Sequence, residues 1–345
     1  MRSSTFYLLI SCLLSACSPI SYMTIETYNP SEVTFPESVG KVLIVNNAVP
    51  QPADSGYEYT LMGVKQDTCV AVADSALFYA CRSLGKSIVD ADYFNDVLLY
   101  HDAVREDKEY LSDVKLTPEQ VASLCEETGT DAVISLDRLL FEMEKDVFTF
   151  PEGYVMGNIK VDIAGVVRCY LPGRSNPLAT VYMSDSIFWN ESADDPGMLK
   201  YILPDANSAL CIAGDYIGAK VYVNFVPHWV NESRWYYSGM DSRWKEAAVA
   251  TAGEKWTLAS ERWSAIYNGT SNWKKKAKSA SNLALCYEME GDLKKAYEWA
   301  SLSYDLFKKN IKGEDNNTKL LELYVETLMN RIRSDQKLNM QFGEE

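Results

Sequence analysis

NLALCYEMEGDLKKAYEWA, residues 282–300, reads as two short helices and the turn between them. Leu283, Ala284 and Tyr287 recur at the three- and four-residue spacing of one helix face. Gly291-Asp292 breaks that pattern, and glycine ends a helix where a positive φ is wanted. Ala296 then stands where a second helix must approach the first, and its small side chain permits that approach. A fainter version lies upstream. Ala247 and Ala248 precede Gly253, and Ala259 and Trp263 follow it. Leu320 to Ile332 supplies a closing helix.

The 282–300 stretch resembles a tetratricopeptide repeat. Leu283, Ala284 and Tyr287 match the leucine, small-residue and tyrosine positions of its first helix. Gly291 matches its turn, and Ala296 matches the alanine that packs the second helix on the first. Ala300 and Ser303 depart from the repeat, standing where an aromatic residue and an alanine are usual. No proline closes the unit. Gly253 to Gly291 spans 38 residues, against a usual period of about 34. One clear unit, one degenerate unit and a cap make a small array, near the minimum of about three stacked units for independent stability.

Upstream of residue 240 the pattern is different. Lys41 to Asn47, KVLIVNN, is a short β-branched run and predicts a buried strand. Helical spacing runs from Thr68 to Leu84 through Val70, Ala73, Leu77, Ala80, Cys81 and Leu84. Thr117-Pro118-Glu119-Gln120 is a helix start with a capping threonine, proline in the first turn and glutamine at the third position. That helix ends at Gly129. Ala132 to Leu136 and Leu139 to Met143 follow as strands. Ile159 to Leu171 alternates, and Leu178 to Trp189 returns as a hairpin partner. Asp205 caps a helix carrying Ala206, Leu210, Ala213, Ile217 and Val221. The order predicts an α/β or α+β domain with a mixed sheet, followed by an all-α tetratricopeptide-like domain. Seven of the eight tryptophans, Trp229 onward, lie beyond residue 228, and the composition change there places the expected boundary near residue 240.

Residues 1–17 set the expected location. Arg2, an apolar run from Phe6 to Leu14 and the small residues Ser15-Ala16 before Cys17 have the layout of a secretory signal. Leu14-Ser15-Ala16-Cys17 resembles the lipobox of bacterial lipoproteins. The resemblance implies cleavage before Cys17, lipid on its sulfur and an anchor in the membrane. With DYIGAKVYVNFVPHW (215–229), RWYYSG (234–239) and the repeat, the chain resembles a family of uncharacterised Bacteroidota lipoproteins with an N-terminal α/β region and C-terminal tetratricopeptide helices. The expected organisation is a signal at 1–16, a lipidated tether at 17–38, an α/β domain at 39–240 and a helical domain at 241–340. Ser18 is not the aspartate that retains some lipoproteins in the inner membrane. No acidic residue occurs before Glu26, so the expected site is the outer membrane, facing the periplasm.

Residues 18–240 carry 15 basic and 32 acidic side chains, a net of −17, and residues 241–345 carry 17 and 16, a net of +1. So acidic a first domain argues against nucleic acid as a partner. The mature cysteines form no CxxC pair and no Cys/His cluster of zinc spacing. They read as small hydrophobes, with Cys69–Cys81 the pair most open to a disulfide. Two histidines, His101 and His228, lie outside any HExxH, and no GxSxG, GxxxxGK[ST] or GxGxxG occurs. Neither a catalytic residue, a metal site nor a cofactor is expected. Asp74-Ser75-Ala76 and Asp185-Ser186-Ile187 resemble the short O-glycosylation signal used by Bacteroidota. The expectation is a lipid-anchored adaptor or assembly factor that binds an envelope protein through its helices. A glycan-binding lipoprotein and an envelope hydrolase are the rivals. An exposed coplanar row of Trp or Tyr would mark the first, and a histidine against a carboxylate in a cleft the second.

Overall fold

The structure is a computed structural model that describes residues 20–66, 70–105, 107–239, 241–313 and 315–343. Cys17 and the signal, Cys69, and the tether up to residue 19 lie outside the described residues. The chain divides into two units. One holds residues 30–228 with 341–343, and the other holds 20–29 with 229–340.

The α/β unit is built on a seven-stranded mixed sheet. β2 (Lys41–Asn46) lies between β5 (Asp96–Ala103) and β6 (Ala132–Thr149), parallel to both. Its apolar run is continuous because both faces are covered. Val42 and Ile44 face α1 (Asp74–Asp90), while Leu43 and Val45 face α2 (Pro118–Thr128). The predicted 132–136 and 139–143 strands are one strand. β6 pairs along one edge with β2 through Ala132–Leu136 and with β3 (Tyr57–Leu61) through Met143–Val147. Its other edge takes β7 (Val155–Tyr170), and β8 (Ala179–Ala193) completes an antiparallel meander. Among the described residues β4 (Val64–Gln66) pairs only with β3.

The capping box at Thr117 and Gln120 forms as the sequence predicts, and Gly129 ends α2 at φ 66°. Asp205 caps α4 (Ala206–Val221) by accepting from the Ser208 N–H. The 68–84 helix is shifted: α1 starts at Asp74 and runs on to Asp90, and Val70 is 56% exposed. The residues before it are held out of the helix by two bonds. Ala71 N–H donates to Ala53 C=O, and Val72 N–H donates to the Asn207 side chain. α1 and α4 cross at backbone contact. A Cβ on Gly214 or Gly218 would lie 2.2 Å from the carbonyl oxygen of Ala76 or Ala80. α3 (Pro196–Ile202), capped by Asp195, lies over β7 and β8, where Leu199 and Leu203 fill the space above Gly157.

The second unit is all-helical apart from one strand pair. α5 (Ser242–Ala252), α6 (Trp256–Asn268), α7 (Trp273–Met289) and α8 (Leu293–Asn310) pack each on the next, and α9 (Asn316–Gln341) closes the series. The expected tether is not a tether over residues 20–29. These form β1 (Ile20–Asn29), paired with β9 (His228–Tyr237). Ser21 meets Ser238 and Thr27 meets Glu232, so the two strands run antiparallel. Alternation explains the strand: Met23, Ile25 and Thr27 turn inward between exposed Tyr22, Thr24 and Glu26. β9 also moves the boundary from residue 240 to 228, because its side chains bond within the helical unit.

Candidate functional site

The small residues singled out in the sequence sit at the helix contacts. Ala284, Ala296 and Ala300 are fully enclosed in one cluster with Tyr324 and Leu328, and Tyr287 packs against it. Leu283 belongs to a neighbouring cluster with Trp244 and Trp263. Gly291 holds φ 84° in the turn, where an L side chain would be strained. Ser303, a departure from the repeat, has a use: its hydroxyl donates to Ala277 C=O across α7 and α8 at 2.7 Å. Most tryptophans brace this interior. Trp244 and Trp263 meet edge to face at 4.9 Å, and Trp273 meets Phe307 at 5.6 Å.

Beneath these contacts lies a buried carboxylate. Glu288, fully enclosed on α7, accepts from Arg234 Nε at 3.0 Å and Nη2 at 2.9 Å, from Tyr324 OH at 2.7 Å and from Arg331. It therefore ties β9 and α9 to α7. Burial, with the Glu288 charge beside it, lifts the Tyr324 phenol well above its usual range, so it stays a donor. Nearly two turns earlier on α7, Asn282 presents its side-chain amide to Tyr237. The Tyr237 N–H donates to Asn282 Oδ1 at 2.8 Å, and Asn282 Nδ2 donates to Tyr237 C=O at 2.9 Å.

The β1 side of this unit is hollowed by a cleft of about 510 Å³. Met23, Trp256 and Met289 line it and also pack against the helical core. Glu26 from β1, Glu254 from the α5–α6 turn and Trp229 from β9 line it as well. Trp229 is 66% exposed, and its indole leans on Tyr28 at 4.9 Å with the planes tilted by 44°. Among the described residues neither Glu26 nor Glu254 has an ion pair or hydrogen-bonding side-chain partner, and no Lys or Arg lines the cleft.

The α/β unit has its own buried carboxylate, at a bulge. The β6–β7 register shifts between Leu136 and Arg138, which leaves Asp137 between two ladder positions. Asp137 accepts from Arg168 at 2.7 Å, Ser135 at 2.6 Å, Tyr170 at 2.9 Å and Asn47 at 3.0 Å. Burial raises its carboxyl above the ordinary range, and these four donors pull against that rise. Two of these donors, with Arg138, hold the 107–116 segment: Arg168 bonds Asp113, Asn47 donates to Val114 C=O, and Arg138 donates to Leu111 C=O. A smaller hollow of about 350 Å³ lies beside that loop, with Gln51, Tyr110, Phe141 and Asp162 in its wall. Gln51 occupies the gap between β2 and β3 on β6. Its Nε2 donates to Phe141 C=O at 2.9 Å and its Oε1 accepts from Phe141 N–H at 2.8 Å, as a strand neighbour would.

The remaining sequence candidates are structural. His101 is exposed on edge strand β5. His228 places Nδ1 3.2 Å from Val226 C=O and its ring against Tyr222. Cys81, Cys125, Cys169 and Cys286 are buried free thiols, and Cys211 is a half-buried one. Burial pushes the thiols of Cys81, Cys169 and Cys286 up to about 12. Asp185 of the second glycosylation-like triplet is engaged by Tyr216 and Lys220. Ala76 of the first is fully buried. The networks around Asp137, Glu288, Gln51 and Asn282 were missed in the sequence.

Two family models match the chain. Residues 39–237 match Domain of unknown function (DUF8603), and residues 245–330 match Domain of unknown function (DUF6340). No curated protein matches. Among solved structures the chain is similar to the hypothetical protein CT253 from Chlamydia trachomatis. The identity is 13%, the match covers 54% of this chain and 98% of that one, and the TM-score is 0.25.

Proposed function

We propose that this chain, which belongs to the DUF8603 family, is a lipid-anchored envelope protein whose helical unit binds another protein. The anchor rests on Leu14-Ser15-Ala16-Cys17. The observation that carries the binding role is the cleft on the helical unit. It combines an exposed indole with two carboxylates left free, whereas the enclosed carboxylates Glu288 and Asp137 are consumed by structural partners. The proposed role is non-catalytic. Stacked helices held by alanine contacts make a tetratricopeptide-like scaffold, and such scaffolds present extended binding surfaces.

Three measurements test it. Cys17→Ala is expected to move the protein from the membrane fraction to the soluble one. A variant that stays fully in the membrane, with no labelled palmitate on the wild type, removes the anchor from the reading. For the binding role, crosslinking in the native envelope is expected to trap a protein partner on residues of the helical unit. Crosslinks that fall only on the α/β unit, or none at all, overturn it. Resistance of the protein to protease on intact cells is expected for an outer-membrane anchor facing the periplasm.

A further inference from the structure

We propose that the Trp229–Trp256 cleft recognises a cationic side chain, a lysine or arginine on a short basic segment of the partner; this rests on the protein-binding reading above. Three independent features of the cleft favour a cation. The first is charge. Glu26 and Glu254 are exposed, free of partners among the described residues, and opposed by no basic residue in the lining. The second is aromatic. Trp229 is largely exposed while leaning on Tyr28, and an indole face attracts a cation more strongly than other rings do. The third is the backbone. α5 ends at Ala252 and α7 at Met289, so two helix C-termini, the negative ends of their dipoles, abut the cleft. Only α6, starting at Trp256, brings a positive end.

Glu254 adds an observation that packing does not explain. Lys255 N–H bonds Ala250 C=O, and Glu254 N–H bonds Thr251 C=O, which is a Schellman closure of α5. In that motif the left-handed position is ordinarily glycine, yet here it is Glu254 at φ 56°. Gly253 stands one residue too early to take the strain. A glutamate kept at a strained turn that offers it no partner is accounted for if its carboxylate has a ligand to meet. Glycans also stack on indoles and their hydroxyls can donate to carboxylates, but a neutral sugar leaves the charge of two carboxylates and two negative helix ends uncompensated, and a cation does not. The volume of about 510 Å³ suits a few residues of extended peptide rather than a single ammonium group.

The test is calorimetric titration of the full chain with an amidated tetra-arginine peptide, a tetra-lysine peptide, a tetra-glutamate peptide and maltohexaose. Basic peptides are expected to bind and the other two not. Glu254→Gln and Trp229→Ala are each expected to weaken binding about tenfold, while Glu119→Gln, a carboxylate on α2 of the α/β unit that does not line the cleft, leaves it unchanged. Glu254→Gly separates ligand from fold: it is expected to raise the melting temperature by about 1–3 °C and to lose the peptide. Equal weakening by Glu119→Gln would reduce the binding to the chain's diffuse acidity and overturn the proposal. So would binding of maltohexaose in place of the peptides, or no binding at all. If crosslinking still traps a partner on the helical unit while Glu254→Gln and Trp229→Ala leave that partner bound, the cleft proposal falls and the adaptor reading stands.

Discussion

The two units solve one problem with the same parts. Each encloses a carboxylate held by arginine and tyrosine, Asp137 in one and Glu288 in the other. Each also uses a side-chain amide as a substitute for a strand neighbour, Gln51 on Phe141 and Asn282 on Tyr237, with the same pair of distances. What differs is the object being held. In the α/β unit the polar groups repair an irregular sheet: a bulge at Asp137, a gap on β6 and a loop over both. In the helical unit they fasten a strand onto helices, which have no free backbone groups to offer it. Sheet partners are supplied by backbone, so the α/β devices act at gaps. A helix side offers only side chains, so Asn282 and Glu288 carry the attachment of β9.

The comparison breaks most visibly at the carboxylates. Glu288→Ala leaves Arg234 buried and Arg331 partly buried, each without this partner. Removing one member of a buried ion pair costs about 3–5 kcal/mol, and Glu288 is expected at the top of that range. Arg234 keeps Glu232 and a bond to Ser233 C=O. Asp137→Ala is expected to cost less, because it strands one guanidinium, Arg168, which retains Asp113 at 2.6 Å, whereas Glu288 holds two. Denaturant unfolding with tryptophan fluorescence reads the helical unit, where seven of the eight tryptophans lie. Far-UV dichroism follows both units. Equal losses for the two variants would mean that the second guanidinium on Glu288 contributes nothing.

The amides give the next largest effect. Asn282→Ala and Gln51→Ala each strip a buried N–H and C=O of partners, and an unsatisfied buried group costs about 1–3 kcal/mol. Asn282→Ala is expected to cost less than two such groups, because Tyr237 C=O also accepts from Trp244 Nε1 at 3.0 Å. Phe141 C=O has no such reserve among the hydrogen bonds described. Hydrogen exchange at the Tyr237 and Phe141 amides is expected to quicken selectively in the matching variant. Unchanged exchange at both would show that the amides do not replace a strand.

Legibility follows from the same distinction. Periodic features were readable: the buried run at 41–47, the capping box at Thr117, the Asp205 cap, the hairpin of 159–171 with 178–189 and the alanines of α7 and α8. Each is local, with partners a few residues away. β1 was hidden by the prolines on either side of it, Pro19 and Pro30, and by its polar alternation, and its partner β9 lies some two hundred residues on. The Gly214 and Gly218 spacing is a close-packing signature whose partner, the Ala76 and Ala80 backbone, has no sequence signal of its own. Asp137 with Arg168, and Arg234 with Glu288, are bonds between distant segments. In the sequence they are indistinguishable from surface charge. The cleft was unreadable for the same reason, since Glu26, Trp229 and Glu254 come from three separate elements.

Packing within the helical array is the next test. Ala296→Leu adds three carbons at a point already filled by Ala284, Ala300 and Tyr324. Overpacking costs about 1–3 kcal/mol. Lys294→Ala, on the exposed face two residues away, is expected within about 0.5 kcal/mol of wild type. Thermal unfolding of the full chain distinguishes them. Equal melting temperatures would remove close packing as the basis of the α7–α8 pair and of its resemblance to a repeat.

The smallest effect concerns Lys278, which is 3% exposed on α7 and has no buried lysine as counterpart in the described α/β unit. Its ammonium lies 4.8 Å from the centre of the Tyr237 ring. Burial, with Lys274 nearby, pulls its pKa down from 10.5 to about 8, against the attraction of Asp315. Between pH 8 and 10.5 the unfolded chain therefore holds a proton that the folded chain has released. Stability contributed by this site is flat below about pH 8 and rises as pH rises through that window. Lys278→Met keeps the length and apolar stem and removes the titration. The expected result is that the difference in stability between wild type and Lys278→Met shifts toward wild type from pH 8 to 10.5, by no more than about 1.4 kcal/mol per pH unit. Titrations of tyrosines and other lysines are common to both proteins and cancel in that difference. Urea midpoints measured for both at pH 7, 8, 9 and 10 decide it. A difference that stays constant across the series would mean that Lys278 keeps an ordinary pKa, and that the helical unit encloses its charge as readily as it encloses Glu288.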